Sequence, residues 1–116
     1  MIFNPIVKAI EPEPTTATIT ITGSGDTTSN YNKCYLIIDG TNYASATTVE
    51  VAIGSTITCV THYYNTTYRN SAKVYLNDTE VASGTSAQSY AYTVTGDCTI
   101  ELERASYYSR IYITTT

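Results

Sequence analysis

Short stretches in which apolar and polar residues alternate, separated by turn signals, recur along most of this chain. Residues 17–22 (ATITIT) are the clearest, with Ala17, Ile19 and Ile21 on one side. Period-two alternation is typical of a β-strand with one buried face. Strands are also predicted over 32–38, 41–45, 47–53, 56–64, 72–77, 80–83, 89–94, 98–103 and 107–114. Short strands with a turn about every 8–12 residues predict an all-β sandwich or barrel.

The connections between these segments carry recognisable turn chemistry. Asp39-Gly40 is a two-residue hairpin signal, because both central positions of a type I′ turn need positive φ. Asn77-Asp78 predicts a second tight turn. Gly54-Ser55 and Gly96-Asp97 predict two further reversals. The predicted strands therefore follow one another closely in an antiparallel arrangement.

Two stretches of the chain repeat one pattern, Tyr35–Cys59 and Tyr75–Leu102. Each opens with Tyr-Leu, turns at an acidic residue, passes a Thr and reaches Ala-Ser. Each then runs through an alternating segment to a Gly turn and a final Thr-Ile. A repeated unit that cannot bury its apolar face alone must pack against its copy. The fold predicted is thus a sandwich built from two similar strand-hairpin repeats.

Alternation also predicts which side chains form the core. In the segment 47–53, the pattern places Val49, Val51 and Ile53 on the inward side. Over the whole chain the predicted core consists of Ile19, Ile21, Leu36, Ile38, Val49, Val51, Ile57, Val74, Leu76, Val94, Ile100 and Leu102. Tyr35, Tyr75, Tyr90 and Tyr92 lie in strands and are expected to cover the sheets.

The first 16 residues form a separate arm, and residues 17–116 form the single sandwich domain. The arm contains all three prolines, Pro5, Pro12 and Pro14, so it cannot fold as a helix. It also carries five apolar side chains, which are unfavourable in water. We expect the arm to run along its own sandwich as an edge strand; the alternative is docking on a neighbouring subunit by strand addition.

Composition and charge narrow the class of protein. The chain has 116 residues and a net charge of −4, and its six Lys and Arg residues are scattered. A basic patch that could neutralise phosphates is missing, so we expect no nucleic-acid partner. The start of the chain has no basic region and no long apolar core, so we expect no signal peptide. No window approaches 18 apolar residues, so we expect no membrane insertion.

The three cysteines are an odd number, which is unfavourable for a secreted disulfide framework. Cys34 and Cys59 lie in apolar strand contexts, where a free thiol behaves as a small buried side chain. We therefore expect Cys34, Cys59 and Cys98 to be unpaired in the native protein.

Residue types that carry catalysis or bind metals are not grouped in this sequence. His62 is the only histidine and lies on a strand beside Val60. The aspartates occupy separate turns, and the glutamates fall on positions expected to face solvent. Gly23-Ser24-Gly25 is followed by no Lys-Ser/Thr and no helix, so it does not match a phosphate loop. We expect no catalytic residues, no metal site and no cofactor, and hence no enzyme.

One segment has the composition of a recognition loop. Residues 62–70 read HYYNTTYRN, and tyrosine supplies contact area at low entropic cost while Asn and Arg adapt their hydrogen bonds. The candidate partner- or glycan-binding residues are Tyr63, Tyr64, Asn65, Tyr68 and Arg69. The structural alternative is that Tyr63 and Tyr64 simply alternate inward and outward at the end of a strand.

Three blocks of the chain carry a resemblance to a known group of proteins: MIFNPIV, YLIIDGTNYASATTVEVAIGSTI and TVTGDCTIEL. Together they resemble small proteins encoded in phages and prophages of gut Clostridia and their relatives. The resemblance implies an immunoglobulin-like sandwich that is associated with the virion or its tail and made in the bacterial cytoplasm. It further implies a non-enzymatic structural or accessory component of the particle.

The alternative from the exposed tyrosines is a module that binds carbohydrate or a host receptor. The partners expected are accordingly other virion proteins or a host-surface glycan, and the chain is a possible homo-oligomer. No site residues follow from the resemblance, because its motifs are β-turn patterns.

Overall fold

The protein is a β-sandwich, as the alternation predicts. The computed structural model describes residues 14–27, 32–63, 72–84, 86–105 and 108–115. These residues form a six-stranded sheet and a four-stranded sheet that pack face to face. Within the described residues there are no α-helices, and accordingly none that could cross a membrane.

Within the described ranges, ten strands form where the sequence predicts them, most with bounds within two residues. The strands are β1 Thr16–Ser24, β2 Asn32–Ile38, β3 Thr41–Tyr43, β4 Ser45–Ala52, β5 Thr56–Tyr63, β6 Ala72–Leu76, β7 Thr79–Gly84, β8 Gln88–Thr93, β9 Cys98–Ala105 and β10 Tyr108–Thr115. The order in the six-stranded sheet is β4-β1-β9-β10-β6-β7, and that in the four-stranded sheet is β3-β2-β5-β8.

The two sequence repeats occupy the two sheets in a reciprocal way. The first repeat spans β2 to β5; it contributes three strands to the four-stranded sheet and sends β4 to the other sheet. The second repeat spans β6 to β9; it contributes three strands to the six-stranded sheet and sends β8 across. Each repeat thus supplies one edge strand to the sheet formed mainly by its copy. The apolar face of each repeat is buried by the other, which is the physical reason for the duplication.

The first and last strands lie outside the repeats and are inserted into the six-stranded sheet. β1 pairs antiparallel with β4 and parallel with β9. β10 pairs antiparallel with β9 and parallel with β6. Immunoglobulin sheets are antiparallel, so these two parallel pairs depart from that arrangement.

The two repeats turn through equivalent hairpins. Asp39 and Gly40 join β2 to β3 with φ of 48° and 76°, and Asn77 and Asp78 join β6 to β7 with φ of 49° and 65°. Two consecutive residues with positive φ are the signature of a type I′ turn, whose twist matches that of the flanking strands. The acidic residue shared by the two sequence repeats is therefore a turn residue.

The Gly23-Ser24-Gly25 segment is a corner where the chain passes from one sheet to the other. Gly23 pairs with Leu102 in the six-stranded sheet, whereas Asp26 exchanges two backbone hydrogen bonds with Cys34 of β2, at 3.1 and 3.0 Å. A Cβ on Gly23 would overlap the Leu102 carbonyl oxygen, and one on Gly25 would overlap that of Cys34. Glycine is required because the strand switches sheets by close backbone approach.

Most of the predicted core is buried between the sheets. Ten of its twelve members are at most 3 % exposed: Ile19, Ile21, Leu36, Ile38, Val51, Ile57, Val74, Val94, Ile100 and Leu102. Val49 and Leu76 are only half-buried. The core also includes Ile111 and Ile113 of β10, which the prediction left out. All three cysteines are in the core too, and burial of Cys34 and Cys59 was expected.

The prediction that Ile53 is an inward, buried residue is wrong. Ile53 follows the end of β4, lies in the turn before Gly54, and is 38 % exposed. Gly54 has a φ of 93°, so the chain leaves the sheet one residue earlier than the apolar pattern indicates.

Candidate functional site

The predicted recognition loop falls largely outside the described residues. β5 ends at Tyr63, and the structure describes neither Tyr64, Asn65, Tyr68 and Arg69 nor the side chain of Tyr63. The adjoining His62 is half-buried, and its carbonyl oxygen accepts a hydrogen bond from Ser109 Oγ at 3.3 Å. The binding role of these five residues stays a prediction.

A different surface, the outer side of the four-stranded sheet, departs from the expected pattern of an exposed β-sheet. On β2, Cys34, Leu36 and Ile38 point into the core. Tyr35 and Ile37 therefore point outward, because successive side chains alternate across a strand. On β5, Ile57 and Cys59 are buried, so Thr58 and Val60 also point outward. An antiparallel sheet with one wet face normally has polar residues in such positions.

These outward side chains form one continuous cluster. Tyr35 lies opposite Val60, and Ile37 lies opposite Thr58, which in turn lies opposite Ala91 of β8. We call Tyr35, Ile37, Thr58, Val60 and Ala91 the apolar outer face. Its first four members are half-buried, and Ala91 is exposed.

Formal charge is almost missing from this side of the molecule. In the four strands β2, β3, β5 and β8, Lys33 is the one Lys, Arg, Asp or Glu residue. Lys33 lies opposite His62 at the end of the sheet, beyond the cluster. A polar rim around an uncharged, β-branched and aromatic centre is the arrangement found at protein–protein interfaces.

The outer side of the six-stranded sheet has the opposite character. Lys73 and Glu80 form an ion pair at 3.6 Å. Arg110 donates a hydrogen bond to the Tyr112 hydroxyl at 3.1 Å, and the ring of Tyr112 stacks on Tyr75 with a centroid distance of 4.9 Å and an angle of 11°. These side chains satisfy one another, as expected of a face exposed to water. The contrast singles out the four-stranded sheet as the candidate docking side.

The described aspartates have structural contacts or occupy turns. The Thr18 backbone N–H donates to Asp97 Oδ1 at 2.9 Å, and Asp26 forms an ion pair with Arg104 at 3.6 Å. Asp39 and Asp78 occupy the hairpin turns. Among the described residues no group of three or more His, Cys, Asp or Glu side chains could hold a metal ion.

All three cysteines are buried free thiols. Cys34, Cys59 and Cys98 are at most 2 % exposed, and none forms a disulfide. Burial raises the pKa of Cys34 and of Cys59 from 9.0 to about 12, and that of Cys98 to about 11. The Cys34 thiol donates a weak hydrogen bond to the Arg110 carbonyl oxygen at 3.5 Å. These thiols are packing groups, because a thiol held protonated is a poor nucleophile.

Thiol titration should reflect this burial. We expect a thiol reagent to leave the native protein essentially unmodified at neutral pH and to modify three thiols per chain after denaturation without reductant. A return of one thiol after denaturation would show that two cysteines had formed a disulfide.

Comparisons of the chain with protein families, with curated proteins and with solved structures found no match.

Proposed function

We propose that this protein is a non-enzymatic structural or accessory component of a phage or prophage particle, in the tail or capsid. The biological setting comes from the sequence resemblance. The observation that supports assembly as the mode of action is the apolar outer face. Tyr35, Ile37 and Val60 form an apolar centre on a sheet face that normally carries polar residues, and such a centre favours contact with another protein.

The partner proposed for this face is another virion protein. An immunoglobulin-like kinship belongs to the same proposal; the two-sheet architecture favours it, and the two parallel strand pairs are a departure from it. The proposed location is the assembled virion, which the protein reaches from the bacterial cytoplasm.

The substitution Val60→Lys tests this role at the centre of the apolar outer face. Val60 points outward, so a lysine there can extend into water, and we expect the free energy of unfolding to change by less than about 1 kcal/mol. Docking would bury the new charge, so we expect the variant to be missing from particles purified after prophage induction.

A matched control places the same charge on the other sheet. Thr99 of β9 is exposed and points outward on the six-stranded sheet, opposite Thr20 and Thr114. Thr99→Lys should leave incorporation into particles unchanged. If the wild-type protein is not found in purified particles at all, the proposed function is wrong. Equal incorporation of both lysine variants would show that the apolar outer face is not the docking surface.

A carbohydrate- or receptor-binding module is the second candidate, and one structural observation favours it. The strand ends Ser24 and Asn32, Tyr63 and Ala72, and Ala105 and Tyr108 lie at the same end of the sandwich. The connections between them contain Tyr31, Tyr64, Tyr68 and Tyr107. Loops that share one end of a sandwich are a common place for recognition.

A glycan array separates the two candidates. Assembly alone predicts no binding to any glycan, whereas the second candidate predicts binding that is lost in Tyr68→Ala and retained in Val60→Lys. The two substitutions lie in different parts of the chain, so each candidate can fail without the other.

A further inference from the structure

The edge strands of the two sheets differ in how well they are protected against pairing with another chain. Among the described strands, β3 has only three residues, and β7 carries a register shift opposite Val74 and Tyr75 together with the Lys73–Glu80 ion pair. Short length, bulges and charge are the usual protections of an edge. β4 has eight residues, SATTVEVA, with Glu50 as its single charge. β8 has six residues and, unlike β4, no charge.

The ladder with β1 shows which backbone groups of β4 face the open side. The Ile53 N–H donates to the Thr15 carbonyl oxygen at 2.9 Å, and the pairing continues in register from Thr16–Ala52 to Ile21–Thr47. Residues of an antiparallel pair alternate between bonding to the neighbour and pointing away from it. Val51 and Val49 therefore bond to β1, whereas the N–H and C=O groups of Glu50 and Thr48 point to the open edge.

The inward side chains of β4 are partly uncovered: Val51 is 3 % exposed, but cover is lost toward the start of the strand. The four-stranded sheet packs on β9, β10, β6 and β7, so β4 projects beyond it. As a result Thr47, on the inward side, is exposed and Val49 is only half-buried. Ile53, the residue directly after β4, is exposed as well. On β8, by contrast, Tyr92 is 7 % exposed and Tyr90 packs against the core.

We propose that β4 pairs antiparallel with β4 of a second copy, so that two sandwiches share one continuous twelve-stranded sheet. The second copy would bind the backbone N–H and C=O groups of Thr48 and Glu50 that point to the open edge, beside the half-buried Val49. A two-fold axis at Thr48 places the same groups of both copies opposite one another.

The charges of the strand fit this register. With the axis at Thr48, Glu50 lies opposite Ala46 of the second copy, so the two carboxylates do not face each other. Val49 lies opposite Thr47 of the second copy on the inward side, which covers the aliphatic surface that the four-stranded sheet leaves open. This pairing deepens the proposed assembly role, because it names one contact through which assembly proceeds.

The substitution Thr48→Pro tests the pairing. Proline removes an N–H that points to the open edge and leaves the ladder with β1 intact, because Thr48 does not bond to β1. We expect the wild-type protein to sediment as a dimer whose dissociation constant rises at least about tenfold in Thr48→Pro. Unchanged thermal unfolding of the variant, measured at a concentration where the wild type is also monomeric, shows that the fold is retained.

A matched proline on β8, the uncharged edge of the four-stranded sheet, is the control. Val94, which follows β8, donates its backbone N–H to the Ser55 carbonyl oxygen at 2.9 Å. By the same alternation the Ser89 N–H points to the open edge of β8. Ser89→Pro should leave the dimer unchanged. An unaffected dimer in Thr48→Pro, a dimer lost in Ser89→Pro, or a wild type that is monomeric at all concentrations would each overturn the proposal.

The N-terminal arm is the competing occupant of the β4 edge, and deletion of residues 2–10 tests it. If the deletion converts a monomer to a dimer, the arm covers β4 in its own chain and the proposal is wrong; a dimer of unchanged affinity supports it. The result is independent of the proposed function, since particle incorporation tested by Val60→Lys concerns the other sheet.

Discussion

Gly25→Ala is expected to lower the free energy of unfolding by about 3 kcal/mol or more. The added Cβ would overlap the Cys34 carbonyl oxygen, and that oxygen accepts the hydrogen bond from the Asp26 N–H at 3.1 Å. Both contact partners belong to the backbone, so no side-chain rotation relieves the overlap. Urea unfolding of the variant and the wild type measures the difference.

Gly40→Ala is the control that separates crowding from backbone conformation. Gly40 has a φ of 76°, but nothing lies within 4 Å of a Cβ built there. We expect this variant to lose only about 1 kcal/mol, the cost of holding a side chain at positive φ. If Gly25→Ala loses no more than Gly40→Ala, the corner between the sheets does not depend on close backbone approach.

Raising the pH above 9 is expected to destabilise the protein progressively. Below that pH the three thiols are protonated in both the folded and the unfolded chain, so they have no effect on stability. Above it the unfolded chain releases thiol protons, whereas the folded chain keeps them up to a pKa of about 12 for Cys34 and Cys59 and about 11 for Cys98. The unfolded state is therefore favoured by about 4 kcal/mol per pH unit for the three thiols together.

That slope is large compared with the stability of a domain, roughly 5–15 kcal/mol, so unfolding is expected near about pH 11. Burial also raises the pKa of Tyr92, so the decline steepens once tyrosine ionises in the unfolded chain. Urea unfolding at pH values from 8 upward, at intervals of about one pH unit, measures how the free energy of unfolding falls with pH.

Cys59→Ala should reduce the slope by about a third, whatever the substitution does to stability at neutral pH. Comparing slopes separates ionisation from the cavity that the alanine leaves. A variant with the wild-type slope would show that Cys59 ionises equally easily in both states and is not buried as the structure has it.

Much of the fold was predictable because its signals are local. Alternation marked the strands, and the Asp39-Gly40 and Asn77-Asp78 pairs marked the hairpins, since few residues accept positive φ in succession. The repeat indicated that two halves cover each other. The error at Ile53 has a local cause as well: the apolar pattern continues one residue past the point where Gly54 turns the chain.

The candidate docking side was harder to predict from the sequence, although strand β2 gave one indication of it. Strand β2 reads NKCYLII, a nearly continuous apolar run, which indicates a strand that is apolar on both faces. Periodicity alone cannot say that Val60 and Ala91, far along the chain, lie on the same face of the same sheet. The predicted loop residues from Tyr63 to Arg69 rest on composition, and their role awaits the glycan array.

What the sequence by itself determined is the set of strands, the tight turns and most of the core, because each depends on side chains a few residues apart. Only the tertiary structure decided which sheet each strand joins, that β10 separates β9 from β6 of the second repeat, and that β4 projects beyond the opposite sheet. These features depend on pairing between distant segments. That pairing is decided by which faces and edges are covered, which no local pattern records.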